Sequence, residues 1–237
     1  MRRKLIRWWL ERRGLTVAPL NAPTFDGAMN RLRALRLDIG TILDVGASTG
    51  CWTEKAIPYF SGAKFLCVEA QPVHEPALQR FTRRHPNVRY VLAAAGAREG
   101  EIYFDTNTPF GGVASEQAGG PGWARVPVTT LDRLAAQHGL PPPFLIKLDT
   151  HGFEVPILDG ACTVLERTAV LIIEVYNFRI GRDALLFPEM CQELARQGFR
   201  CFDLFDPMNR PADGTLWQMD MVFLRSDRPE FQRQGYQ

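Results

Sequence analysis

Short runs of almost unbroken apolar character recur along this chain, at Thr41–Val45, Lys64–Glu69, Val88–Leu92, Phe144–Leu148 and Val170–Val175. A strand that is apolar on both faces must be covered on both, which is the signature of a parallel sheet flanked by crossover helices. Helical patterns fall between the runs, at about Cys51–Phe60, Glu75–Arg84 and Val155–Glu166. The alternation predicts an open, doubly wound α/β sheet. Two further runs, Phe199–Leu204 and Met221–Leu224, follow a helical segment near Ala184–Gln197 and read as a terminal antiparallel hairpin. At 237 residues and 46% hydrophobic content, the chain suits one large domain with a sizeable core.

The alternation breaks once. Glu101–Asp105 and Arg125–Val128 are strand-like and flank TNTPFGGVASEQAGGPGWA, a loop with five glycines, two prolines and no helical period. It is expected to be irregular and mobile, and a loop of that length inside a compact domain reads as a lid or binding loop, or more plainly as a disordered hairpin tip.

The first strand runs into ILDVGASTG, a glycine turn opening a helix. Gly46 and Gly50, with Ala47 and Ser48 between them, let the backbone turn sharply and approach a ligand beside a helix N-terminus. The pattern lacks the central glycine of a dinucleotide fingerprint. Asp44 at the strand end would repel phosphate and suits a cationic group, such as the amine or sulfonium of S-adenosylmethionine (SAM). The second strand ends in Glu69, followed by Ala70 and Gln71, and an acid there can accept hydrogen bonds from ribose hydroxyls. Small residues after the third strand, Ala93 and Ala94, leave room for a flat base. Together these predict a nucleoside-cofactor site.

The ordered set ILDVGASTG, FLCVEAQP, AAAG, VPVTTLDRL, FLIKLDTHGFEVPILDGA and VLIIEV resembles FkbM-type SAM-dependent methyltransferases, from about Thr41 to Val175. The resemblance implies a class I methyltransferase fold, Rossmann-like, with a mostly parallel seven-stranded sheet whose last strand is antiparallel. Here it would carry an N-terminal helical extension over residues 1–38, ahead of a catalytic domain over 39–237. The resemblance further implies that Asp44, Gly46 and Gly50 surround the methionine part of SAM. Glu69 would hold the ribose, Gln71 and Pro72 would shape the pocket edge, and Ala93 and Ala94 would border adenine. Ser115, in the long loop, falls where the family often has a serine near the cofactor. The implied reaction is methylation of a hydroxyl on a sugar, glycan or other natural product.

One stretch departs from the family. After the fourth strand the family usually has an aspartate, one residue, a glutamate, a glycine, one residue and a glutamate; here stand Asp149-Thr150-His151-Gly152-Phe153-Glu154. An alcohol needs a base or a metal to sharpen it, and a histidine titrates near ~6.5 when unperturbed, which qualifies His151 as a base. The alternative is a loop histidine bonded to Asp149 or backbone. Asp149 is the strongest functional candidate, facing the cofactor or the acceptor. Asp149, Glu154 and Glu174 would suit a divalent ion as hard oxygen ligands, against the simpler reading that Glu154 caps the next helix; no metal is assigned. Lys147 reads as the neutraliser of a neighbouring carboxylate.

A net charge of +2 gives no case for a nucleic-acid partner. The five cysteines are scattered, with no CxxC pair, which favours a reducing compartment and a cytoplasmic location. No apolar run approaches the ~20 residues of a membrane span. Residues 1–13 carry Arg2, Arg3, Lys4, Arg7, Arg12 and Arg13 beside Leu5, Trp8 and Trp9. They read either as an interfacial helix giving peripheral membrane contact, or as a helix packing its tryptophans onto the domain or a homodimer partner. Two other functions remain open on the sequence: a nicotinamide-dependent oxidoreductase on a related sheet, and a SAM-binding module without catalysis.

Overall fold

The computed structural model describes residues 22–181 and 184–235, so the reading of residues 1–13 lies outside it. In chain order the first elements are α1 (Phe25–Ala34), β1 (Thr41–Val45), α2 (Cys51–Ala56), β2 (Lys64–Glu69), α3 (Glu75–Arg84) and β3 (Val88–Leu92). Then come β4 (Ala94–Ala95), β5 (Gly100–Asp105), β6 (Ala114–Ser115), β7 (Trp123–Thr129), α4 (Leu131–Gln137) and β8 (Phe144–Leu148). The chain finishes with α5 (Glu154–Asp159), α6 (Cys162–Glu166), β9 (Thr168–Tyr176), α7 (Phe187–Arg196), β10 (Phe199–Asn209), β11 (Leu216–Arg225) and α8 (Pro229–Gln232).

Seven strands form one sheet in the order β3-β2-β1-β8-β9-β11-β10. Those from β3 to β9 pair in parallel, and β11 is antiparallel to both β9 and β10. The last strand of the chain is therefore inserted, reversed, between β9 and β10. This is the class I methyltransferase arrangement that the resemblance implied.

The apolar strands are buried because both faces carry helices. Leu43, Leu66, Ile146 and Leu171 face one layer, with Leu134, Ile157 and Leu194 from α4, α5 and α7. Ile42, Phe65, Leu145 and Ile172 face the other, with Met29, Leu78 and Phe81 from α1 and α3. Residues such as Leu43 and Ile146 have no exposed surface, and truncating either to alanine would cost about 2–5 kcal/mol. Helix α1 is capped by Thr24, whose hydroxyl accepts from the Gly27 amide, and is tied to β10 by an Arg31–Asp203 ion pair at 2.5 Å.

Three local features differ from the sequence pattern. The helix expected over Val155–Glu166 is broken at Gly160, where a Cβ would sit 2.0 Å from the Gly96 carbonyl oxygen. Helix α4, capped by Thr130, had no clear apolar period in so short a segment. The irregular region after β3 forms a second sheet, β4-β7-β5-β6, and the long loop contributes β6 to it. Two alternating residues are too few to show as a strand in sequence.

Candidate active site

Parity along the strands builds the site. Asp44, Lys147, Asp149 and Glu174 share one face with Ile42, Leu145 and Ile172, and they gather where the parallel strands end. Asp44 is in register with Lys147, and Leu148 with Ile173, so one step further Asp149 comes alongside Glu174. The antiparallel β11 delivers Asp220 opposite Glu174 and Gln218 opposite Tyr176. Ligands in open α/β sheets bind at this carboxyl edge.

A cavity of about 230 Å³ opens there. Its polar wall is Glu69, Asp149, His151 and Glu174, and its apolar end includes Val68, Ala93, Ala94, Phe104, Phe153 and Ile157. Of the residues singled out in the sequence, Gly46, Ser48, Glu69, Ala70, Gln71, Ala93, Ala94, Asp149 and His151 line it. Asp44, Ala47, Gly50 and Ser115 do not.

The turn after β1 is shaped by its neighbours. Gly46 has φ +79, and a Cβ there would lie 2.0 Å from the Asp149 carbonyl oxygen, so the β1 turn presses against the end of β8. Gly50 has φ +85, and its Cβ would lie 2.6 Å from the Phe81 ring, which puts its need for glycine in helix packing. Asp44 is fully buried beneath the turn, because strand alternation aims it at α2; Thr53 donates to its Oδ2 at 2.6 Å and its Oδ1 has no partner. Burial raises its pKa. Ser115 pairs in β6 with Tyr103 and stands back from the cavity, where Ala114 takes the lining position.

Glu69 is held by two backbone amides, Ser48 N on Oε2 and Gln71 N on Oε1, both at 2.7 Å. Each oxygen keeps a lone pair for a ligand hydroxyl. The buried Ser48 hydroxyl lines the cavity without a partner. A paired carboxylate, an unsatisfied hydroxyl and an alanine-lined slot fit a nucleoside.

Across the cavity, Lys147 donates to Asp149 Oδ2 at 2.5 Å. Burial would pull the Lys147 ammonium down, but Asp149, Asp44 and Asp220 outweigh it and hold its pKa above the usual value. For Asp149, burial is the largest influence and acts upward, but the charge and hydrogen bond of Lys147, with His151 and Glu174, together leave it below the usual carboxylate range. Glu174 accepts from the Tyr176 hydroxyl and from the Gln218 amide. Burial, and then the charge of Asp149, push its pKa up to about 8. His151 Nε2 stands 3.7 Å from Asp149 Oδ1 and 3.8 Å from Glu174 Oε2.

Asp149, His151 and Glu174 are the one group of three metal-type ligands among the described residues whose ligand atoms lie within 4.8 Å of each other. Glu154 stands apart from it: buried, it accepts from the Gly152 amide and the Thr150 hydroxyl and so orders the entry to α5. Lys147 donates to Asp149 Oδ2 and Glu174 accepts one donor on each oxygen, so Asp149 Oδ1 and a second lone pair on each Glu174 oxygen stay open.

The long loop folds over the opening. Pro109, Phe110, Gly111 and Gly112 line the cavity, and the Pro109 carbonyl accepts from Gln71 Nε2 at 3.2 Å and lies 2.6 Å from His74 Nε2. His74, Phe104, Phe153 and Gln218 were not singled out in sequence. Gln218 and Asp220 carry a readable signal, two polar residues at period two against Met219 and Met221. The aromatic lining carries none, since it looks like core.

The methyltransferase FkbM domain profile matches residues 44–201. The chain belongs to this FkbM methyltransferase family. Family membership makes it a SAM-dependent methyltransferase and removes the nicotinamide alternative. No curated protein matches the chain in sequence. Among solved structures, the N-methyltransferase NodS from Bradyrhizobium japonicum is similar at 12% identity and TM-score 0.48, covering 84% of this chain and 92% of that one. Precorrin-6y C5,15-methyltransferase from Geobacter metallireducens is similar at 12% identity and TM-score 0.44, covering 89% and 93%. The fibrillarin pre-rRNA processing protein of Methanococcus jannaschii is similar at 14% identity and TM-score 0.49, covering 80% and 68%. Among the described residues of this FkbM-family chain, no helix is long and apolar enough to cross a membrane.

Proposed function

We propose that this FkbM-family enzyme is an O-methyltransferase acting on a hydroxyl of a sugar, glycan or natural-product acceptor. The observation that carries the reading is His151 Nε2 set between Asp149 and Glu174 on the cavity wall. An amine at neutral pH can offer a lone pair once a loosely held proton leaves, whereas a hydroxyl needs a positioned base. Bound SAM supplies an activated methyl group on a sulfonium.

Glu69 would hold the ribose hydroxyls, and its two amide donors keep both oxygens aimed. Ala93 and Ala94 border the base, and Gly46, Ala70, Gln71 and the Ser48 hydroxyl complete the cofactor half. Asp149, fixed by Lys147, orients His151 and stabilises its protonated form, while His151 Nε2 takes the acceptor proton. The Pro109–Gly112 segment excludes water from above. Five free cysteines support a reducing, cytoplasmic setting.

The test is transfer of labelled methyl from SAM to a panel of glycosides and matched amino-glycosides, with the methylated atom located by NMR. Transfer to oxygen is expected. Transfer confined to nitrogen would overturn the reading, and tight SAM binding with no transfer to any acceptor would favour a non-catalytic module.

A further inference from the structure

The cavity's carboxylates outnumber their cations. Asp44 from β1, Asp149 at the end of β8, Glu174 from β9 and Asp220 from β11 gather around the Lys147 ammonium, by strand register and by its bond to Asp149. His151 completes the group, and Glu154 of α5 lies beyond it as a separate buried acid. Asp44 Oδ1 and Asp220 Oδ1 are buried without partners. Glu174 differs from Asp44 and Asp220 in lining the cavity with its carboxylate within 4.8 Å of Asp149, and Tyr176 and Gln218 fix its orientation. Buried like charges this close cannot all be ionised unless another cation arrives.

We propose that Glu174 exchanges a proton for the positive charge of the bound methyl donor. Glu174 carries the proton in the free enzyme, shares it with Asp149, and releases it to solvent when a sulfonium occupies the cavity. The raised pKa of Glu174, about 8, supports this, since the group is then mostly protonated at neutral pH.

The chemistry balances around the cycle. The acceptor oxygen forms a bond to the methyl carbon, the carbon–sulfur bond breaks, and its electron pair stays on sulfur. The hydroxyl proton goes to His151 Nε2 and from there to Glu174 Oε2, 3.8 Å away. The site has then lost one positive charge and regained one proton, which restores the resting state. This return step rests on the hydroxyl reading above; the release step rests on the carboxylate cluster alone. Glu174 is accordingly a positioning and proton-storing residue that acts through His151.

Calorimetric titration of the full chain with SAM and with S-adenosylhomocysteine, at about pH 7 in phosphate and in Tris, counts the protons released by each ligand. SAM should release up to about one proton more than S-adenosylhomocysteine, and the ratio of their affinities should rise with pH, up to tenfold per unit, until about pH 8. In Glu174→Gln the difference should vanish while both ligands still bind. The affinity ratio needs no variant, so a poorly folding Glu174→Gln would not remove the test. Equal proton counts in the wild type would overturn the exchange and leave the cofactor assignment standing. A difference that persists in Glu174→Gln would overturn the assignment to Glu174. Failure of either ligand to bind would overturn the cofactor assignment itself, and the exchange with it.

Discussion

Glu174 leaves a signature in stability as well as in binding. Its carboxyl has an ordinary pKa of 4.5 and is pushed up to about 8 in the folded chain, first by burial and then by Asp149. A group raised in this way stabilises the fold fully below its unfolded pKa, and that stability is lost as pH rises through the folded one. Between the two values the native state holds one proton more than the unfolded state, so ligand-free stability falls by about 1.4 kcal/mol per pH unit from this group. Its side chain is 12% exposed, so little discount for solvent is due. From about pH 5.5 to about pH 7.5 the loss is about 2–3 kcal/mol, or about 5–10 °C in Tm for a chain of this size. In Glu174→Gln this component is absent. The amide also loses one acceptor position for Tyr176 and Gln218, but that cost does not vary with pH and cancels between the two conditions. Asp149, with a lowered pKa, loses its stabilisation only as pH falls below the usual carboxylate range, outside this window. Asp220, pushed up to about 6 mainly by burial, acts in the same direction as Glu174 but is present in both proteins. Urea unfolding of both at the two pH values measures the double difference. Parallel pH dependence would refute the assignment of the buried proton to Glu174.

Three further outcomes are expected. Glu69→Gln should weaken SAM binding about 10- to 100-fold by calorimetry, since a hydrogen bond to a charged group is worth about 1.5–3 kcal/mol; an unchanged Kd would remove Glu69 from the ribose. His151→Ala should lower kcat by about 10²–10⁴ at unchanged SAM affinity once an acceptor is in hand, and unaltered turnover would reject the base. Gly50→Ala should cost about 1–3 kcal/mol in urea unfolding, because φ is +85 and the new Cβ meets Phe81; a neutral result would show that α3 yields.

Much of the sheet was legible because its central strands are buried on both faces, which writes burial into sequence as unbroken apolar runs. The interiors of β1, β2, β3 and β8 appear there residue for residue. The β10–β11 hairpin was legible only near its base, since beyond Leu204 its residues are mostly exposed and no longer apolar at period two. The reading of Asp44 went only halfway. A carboxylate at a strand end is visible in DVG, but which face it takes depends on strand parity and on the helix beneath, and Thr53 claims it. Glu69 was readable because its position one strand over from the glycine turn fixes its geometry. The pairing of Asp149 with Glu174 was not, because it depends on the register of two strands far apart in sequence. In the second sheet β5 and β7 were legible as strands, but β4 and β6 were not, because two-residue strands exist only through their partners, and partners are not local information.

The glycine turn connects the two halves of the site. Its first glycine lets the backbone lie against the Asp149 carbonyl, and its Ser48 amide reaches across to Glu69. One five-residue turn thus sets the Glu69 carboxylate and the strand end carrying Asp149 and His151 relative to each other. A side chain at position 46 would therefore push the end of β8 away from the turn, besides straining a left-handed residue. That explains physically why DVG and KLDTHG, far apart in the chain, must work as one unit. His151, where the resemblance leads one to expect a glutamate, lies on the cavity wall of that unit with Glu174 3.8 Å behind it, which is where the proposed function needs a base and a proton store.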